Sequence, residues 1–214
     1  MSKLRFEITI TLDGYVAGPN QSVEHPLGEG AEGIHDWGLA TKAFREAHGR
    51  EGGETGINDD VIRESWVRAG ATIMGRNMFG GGPGPWGEDP WNGWWGDEPP
   101  FRHPVFVLTH HPREPLELEG GTTFTFVTDG IEAALEQARS AAGGKDVALG
   151  GGANAAQQYL AAGLIDEVDL HLVPILLGAG ERLFENLGDP PPKLRPIRTI
   201  EGPGVTHLRY EVVR

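Results

Sequence analysis

The sequence contains no cysteine, which removes disulfides, thiol nucleophiles and Cys-ligated zinc from consideration. Serine is nearly absent: Ser2, Ser22, Ser65 and Ser140 are the whole set, and none stands in a G-x-S-x-G elbow, so a serine hydrolase of that type is excluded. There is no H-E-x-x-H and no carboxylate-rich calcium loop, which sets aside the metal sites those motifs build. No run approaches the roughly 20 apolar residues that a bilayer span requires. The opening MSKLRFEITI alternates instead of forming the apolar region of a signal peptide, so a cytoplasmic protein is expected. Positive charge is also scarce. With 18 Lys and Arg against 31 Asp and Glu, the formal charge is −13, which argues against general binding to nucleic acid or to an anionic membrane. An anionic ligand would need a local basic pocket.

What is present is glycine and proline, 33 and 16 of them in 214 residues, enough for many turns and one irregular excursion within a single domain spanning 1–214. Residues 4–12 place Leu4, Phe6, Ile8, Ile10 and Leu12 at period two, the pattern of a strand with one buried face. Asp13-Gly14 turns the chain into Tyr15-Val16-Ala17. Helical spacing predicts one helix from Trp37 to about Arg50. A second is expected from Asn58, as N-cap, to Ala69, with Val61, Ile62, Ser65 and Trp66 on one face. Short strands are expected at 71–74, 105–109, 122–127 and 165–173, a helix at 131–142, and a C-terminal antiparallel hairpin formed by 194–201 and 205–213 around Gly202-Pro203-Gly204. Strands alternating with helices and closed by a hairpin define an α/β fold with a central mixed, mostly parallel sheet. The excursion is 79–104, which holds Trp86, Trp91, Trp94 and Trp95; so many large aromatics argue against disorder and predict that it packs on itself, the alternative being that it covers a site or a partner surface.

Three strand ends carry the chemistry. Val147-Ala148-Leu149 runs into Gly150, Gly151 and Gly152 and then into a helix beginning near Ala153-Asn154. Such a turn offers backbone N–H groups and the positive end of a helix dipole to a phosphate; its plainer reading is a tight corner. The same residues formally match G-x-G-x-x-G/A, and a Rossmann domain would make this the first strand of a parallel sheet, with an acid near Asp169 for a ribose. Met74-Gly75-Arg76-Asn77 pairs a strand end with a guanidinium. Thr109-His110-His111 adds a hydroxyl and imidazoles, with His110 and His111 on opposite faces.

Taken with Thr11-Leu12-Asp13-Gly14-Tyr15-Val16-Ala17 and the run from Gly163 through His171-Leu172-Val173-Pro174 to Gly178-Ala179-Gly180, these motifs fall in an order that resembles the dihydrofolate reductase-like superfamily. The nearest resemblance is to the reductase domain of the bifunctional riboflavin-biosynthesis deaminase-reductase. It implies a cytoplasmic oxidoreductase, commonly a homodimer, that binds NADPH across the C-terminal strand ends and passes hydride to a small heterocyclic or aromatic substrate, pteridine- or pyrimidine-like. By position, Val16 and Ala17 would line the nicotinamide, Gly75, Arg76 and Asn77 would hold phosphate, Thr109 and His110 would lie near the adenosine 2′-phosphate, and Gly150, Gly151, Gly152, Ala153 and Asn154 would hold the pyrophosphate. Five residues beyond Trp37, where dihydrofolate reductases carry an acid, stands Lys42; Asp36 is the acid available to take its catalytic place. Where riboflavin-pathway reductases commonly carry a glutamate stands Gly150. The rival reading is a non-catalytic nucleotide-binding or interaction module of the same fold.

Overall fold

The computed structural model describes residues 2–82, 84–88 and 90–213. Nine strands form the main sheet in the order β10-β11-β8-β1-β7-β3-β4-β6-β5. They are β1 (Leu4–Thr11), β3 (Ala69–Gly75), β4 (Pro104–Leu108), β5 (Leu116–Glu117), β6 (Thr123–Val127), β7 (Asp146–Leu149), β8 (Glu167–Val173), β10 (Lys193–Gly202) and β11 (Val205–Val213). The six from β8 to β6 run parallel, and the hairpin β10-β11 joins β8 antiparallel. A two-stranded ribbon pairs β2 (Tyr15–Ala17) with β9 (Glu181–Arg182). The strand before the three glycines is therefore the seventh along the chain, inserted between β1 and β3, and the Rossmann order is excluded.

One face of the sheet is apolar throughout. Leu4, Phe6, Ile10, Ile73, Leu149, Val168 and Leu170 pack there with α5 (Gly130–Ala141) and α6 (Ala153–Ala161), whose Ala134, Leu135, Ala138, Ala156 and Tyr159 recur at helical spacing and are buried. The sequence gives β1 one buried face; in the structure both are buried, Arg5 at 2%, Thr9 at 3% and Thr11 at 1% exposure. The polar face survives burial because each charge meets a partner: Arg5 bonds Asp169 at 2.9 Å, and Arg209 of β11 bonds Asp169 at 2.5 Å and Glu64 at 2.7 Å.

Helix α3 (Ile57–Arg68) supplies much of that cover. It starts one residue before the expected N-cap, with Gly56 at the cap. Asn58 instead reaches the hairpin, donating from Nδ2 to the Pro203 carbonyl at 3.1 Å. Trp66 does not share the buried face of Val61, Ile62 and Ser65 and is 42% exposed, since the apolar stripe is narrow and a polar sheet face needs polar groups opposite. The single helix expected at Trp37–Arg50 is two: α1 (Asp36–Leu39) and α2 (Lys42–Ala47). Ala40 and Lys42 trade backbone hydrogen bonds with Glu54 at 2.8 Å each, and the Thr41 hydroxyl caps α2 by accepting from Phe44 N, so the ladder is interrupted at that point.

The 79–104 segment does pack. Phe79, Phe124 and Phe126 form a second core with Met74, Val105 and Val107; Trp86 and Trp95 close over it edge-to-face or stacked, and Trp91 packs beside them. Positions 83 and 89 of the segment lie outside the described residues.

Candidate active site

In a parallel sheet all strand ends of one kind lie on one edge, so the sheet order decides which motifs meet. The C-terminal ends of β1, β7, β3 and β4 are consecutive. That brings Val16 and Ala17, then Gly150–Asn154, then Gly75–Asn77, then Thr109 and His110, side by side along one rim.

The glycine turn is tied to its neighbour: Gly150 N donates to Ile73 O at 2.9 Å and Gly75 N donates to Gly151 O at 3.0 Å. Gly151 has φ +132°, a conformation side chains disfavour, and the peptide between Gly151 and Gly152 is cis. A Cβ on Gly152 would meet nothing within 4 Å, whereas one on Gly75 would contact Ala155 at 3.6 Å. The backbone is thus in ordinary contact with α6 at Gly75 and open at Gly152. Helix α6 begins at that opening with no side-chain cap, so its first N–H groups have no side-chain acceptor.

Arg76, in the short helix α4 (Arg76–Phe79), stacks 3.1 Å from the centroid of Trp86 and donates from Nε to Gly80 O at 3.0 Å. Its Nη1 is buried with no hydrogen-bond partner among the described residues. Burial, and then the charge of Arg113 across the same indole, push this guanidinium below its ordinary value, which is the condition a bound anion relieves. Asn77, His110 and Asn154 are exposed, and Thr109 is buried with its hydroxyl accepting from His111 N at 3.2 Å. At the other end Val16 and Ala17 are buried, and Gly180 crosses so close that a Cβ would lie 2.1 Å from Ala17 O. Asp13 fixes this corner by accepting from Thr11, Leu177 N and Gly178 N, and the Thr11 hydroxyl and Gly178 amide hold its carboxyl below the usual range.

Asp36 lies exposed in the first turn of α1. The groups that face inward beside it escaped the sequence reading: His35, with Nδ1 3.1 Å from Thr9 Oγ1, and Trp37, which donates to the same oxygen at 3.1 Å. Below them the part-buried Glu7 and the buried His171 and His207 form a chain, at 3.0 Å and 2.8 Å, with Ser65 donating to Glu7. Burial alone would raise the Glu7 carboxyl, but the hydrogen bond and charge of His171 outweigh it and hold it at about 2. Burial, then the charge of His171, lowers His207 to about 4. A cavity of about 10 Å³, of the order of one water, sits among these groups. The signal for them was there: the polar residues of β1, β8 and β11 alternate as regularly as the apolar ones.

The architecture is that of the dihydrofolate reductase-like fold. It is shared with dihydrofolate reductase from Enterococcus faecalis, solved with NADP(H), at 13% identity and a TM-score of 0.51 over 98% of this chain and 96% of that one. A Shewanella sp. PV-4 protein assigned to riboflavin biosynthesis matches at 22% identity and a TM-score of 0.63, covering all of both chains. The Thermotoga maritima diaminohydroxyphosphoribosylaminopyrimidine deaminase/5-amino-6-(5-phosphoribosylamino)uracil reductase matches at 13% identity and a TM-score of 0.55, with 99% of this chain covering 57% of that one. No curated protein sequence matches. The RibD C-terminal domain family matches residues 2–207, and the chain belongs to that family. Membership places it in the oxidoreductase class. Among the described residues no helix is long and apolar enough to cross a membrane.

Proposed function

We propose that this chain is an NADPH-dependent reductase of a small, planar heterocycle, pteridine- or pyrimidine-like. The observation that carries the reading is the rim itself, where four adjacent strand ends offer an uncapped helix start over an open glycine turn and, one strand away, a guanidinium with an unsatisfied buried N–H. Those groups fit a dinucleotide with an added phosphate: Gly151, Gly152, Ala153 and Asn154 for the pyrophosphate, Gly75, Arg76 and Asn77 for phosphate, and Thr109 and His110 for the 2′-phosphate.

When bound, NADPH supplies hydride. Val16 and Ala17, buried at the end of the rim with Gly180 close against Ala17, would flank that transfer. Asp36, at the exposed start of α1, is the carboxyl available to return a proton. The test is loss of NADPH absorbance with 5-amino-6-(5-phosphoribosylamino)uracil and with a dihydropterin. Oxidation dependent on either supports the reading. NADPH binding without oxidation across such heterocycles favours the non-catalytic module, for which the lysine at position 42 and the tryptophan-rich 79–104 segment are the motivating observations.

A further inference from the structure

Thr9 stands two residues before the end of β1, so its side chain lies about 7 Å from the rim. Its oxygen accepts the indole N–H of Trp37, which can only donate. The hydroxyl proton then has one acceptor among the described residues, Nδ1 of His35 at 3.1 Å. An imidazole that accepts at Nδ1 carries its proton on Nε2. His35 is half-buried, and its Nε2 has no partner among the described residues and is not among the buried unpaired atoms, so it keeps some accessible surface.

A second chain of hydrogen bonds fixes what lies beneath. The Pro203 carbonyl can only accept, so it orients the Asn58 amide with Oδ1 toward His207 Nε2 at 3.0 Å. His207 therefore donates at Nε2 and accepts at Nδ1, where His171 Nδ1 donates at 2.8 Å. His171 meets the Glu7 carboxylate with its other nitrogen at 3.0 Å, so it bridges His207 and that carboxylate. Trp37 covers His171 and His207 at ring distances of 4.6 and 5.0 Å. The titratable groups around His35 are thus Asp36 on its own element, His171 and Glu7 from the sheet, and His207 from the hairpin. Burial, followed by the charge of His171, lowers His35 to about 4, and Asp36 opposes this only weakly.

We propose that His35 is the substrate-contacting donor of this site, a neutral imidazole whose Nε2–H binds a carbonyl oxygen or ring nitrogen of an uncharged planar heterocycle lying along the end of β1. A neutral N–H suits a lactam oxygen or an imine nitrogen in which negative charge develops during reduction. The inference rests on the reductase reading, which places the substrate beside Val16 and Ala17.

The experiment follows the ¹⁵N resonances of the His35 ring in the full chain while 5-aminouracil is titrated with NADP⁺ present. The spectrum should show the Nε2–H tautomer throughout about pH 5 to 8, and the Nε2 resonance should move as the probe binds. His35→Ala should weaken probe binding about tenfold with NADPH affinity unchanged, and His35→Gln, which keeps a side-chain N–H, should restore most of it. Tight NADPH binding with no movement of the His35 resonance, no binding of 5-aminouracil, or a His35→Gln variant as impaired as His35→Ala overturns the assignment while leaving the reductase reading intact. Loss of NADPH binding in the unaltered chain removes the reductase reading instead, and a His35 resonance that still moves would then keep the donor role alone.

Discussion

Beneath α3, strands β1, β8 and β11 turn Arg5, Glu7, Asp169, His171, His207 and Arg209 inward; on the same sheet face, β3, β4 and β6 turn Met74, Val105, Val107, Phe124 and Phe126 inward beneath the 79–104 segment. One half is closed by donor–acceptor pairs, the other by aromatic rings. The difference matters at the rim, because each half holds one end of the candidate site. The polar half ties His35 and Trp37 to the same Thr9 oxygen and so orients both. The aromatic half places Trp86 under the Arg76 guanidinium. A hydrogen-bonded chain fixes direction and charge state, whereas rings fix position and leave a cation free to take an anion.

The comparison breaks first at its two centres. Asp169→Ala leaves Arg5 and Arg209 without their shared buried carboxylate and is expected to cost about 3–5 kcal/mol in a urea melt. Phe79→Ala, at a fully buried ring, should cost about as much through the cavity it leaves. Acid separates the halves. The Glu7 carboxyl lies at about 2 against an ordinary 4.5, so its contribution, about 3 kcal/mol, is complete above 4.5 and is lost as pH falls toward 2. His35 and His207, lowered from 6.5 to about 4, act in the same sense over that higher window. Glu7→Gln should therefore flatten the acid limb of stability against pH, while Phe79→Ala shifts the whole curve without changing its shape.

A smaller effect sharpens the role of the aromatic half. Arg76→Lys keeps the charge but loses the planar fork and the stack on Trp86, so NADPH affinity should fall about tenfold while the melting midpoint barely moves. Smallest of all, Arg195→Ala removes an exposed pair with Glu211 on the outer hairpin and should leave the midpoint where it was.

Much of this was legible in the sequence. The alternation of 4–12, the turn at Gly150–Gly152, the helix at 131–142 and the C-terminal hairpin rest on local chemistry, and the structure shows each within a residue or two. The break between α1 and α2 was not legible, because it depends on backbone bonds to Glu54, a partner more than ten residues on. The polar half was missed for a related reason. Period two says that Arg5, Glu7 and Thr9 share a face, but only the sheet order sets them against Asp169, His171 and α3. In the candidate site the three phosphate-suited strand ends were readable as motifs, while their adjacency came from β7 lying between β1 and β3.

The central claim is that these adjacent strand ends form one NADPH site. Calorimetric titration of the purified chain with NADPH, followed in parallel by tryptophan fluorescence, tests it most directly. Saturable binding at one site per chain, with a changed signal from Trp86 that the Trp86→Phe variant lacks, is the expected result. No heat and no fluorescence change at high NADPH would contradict it.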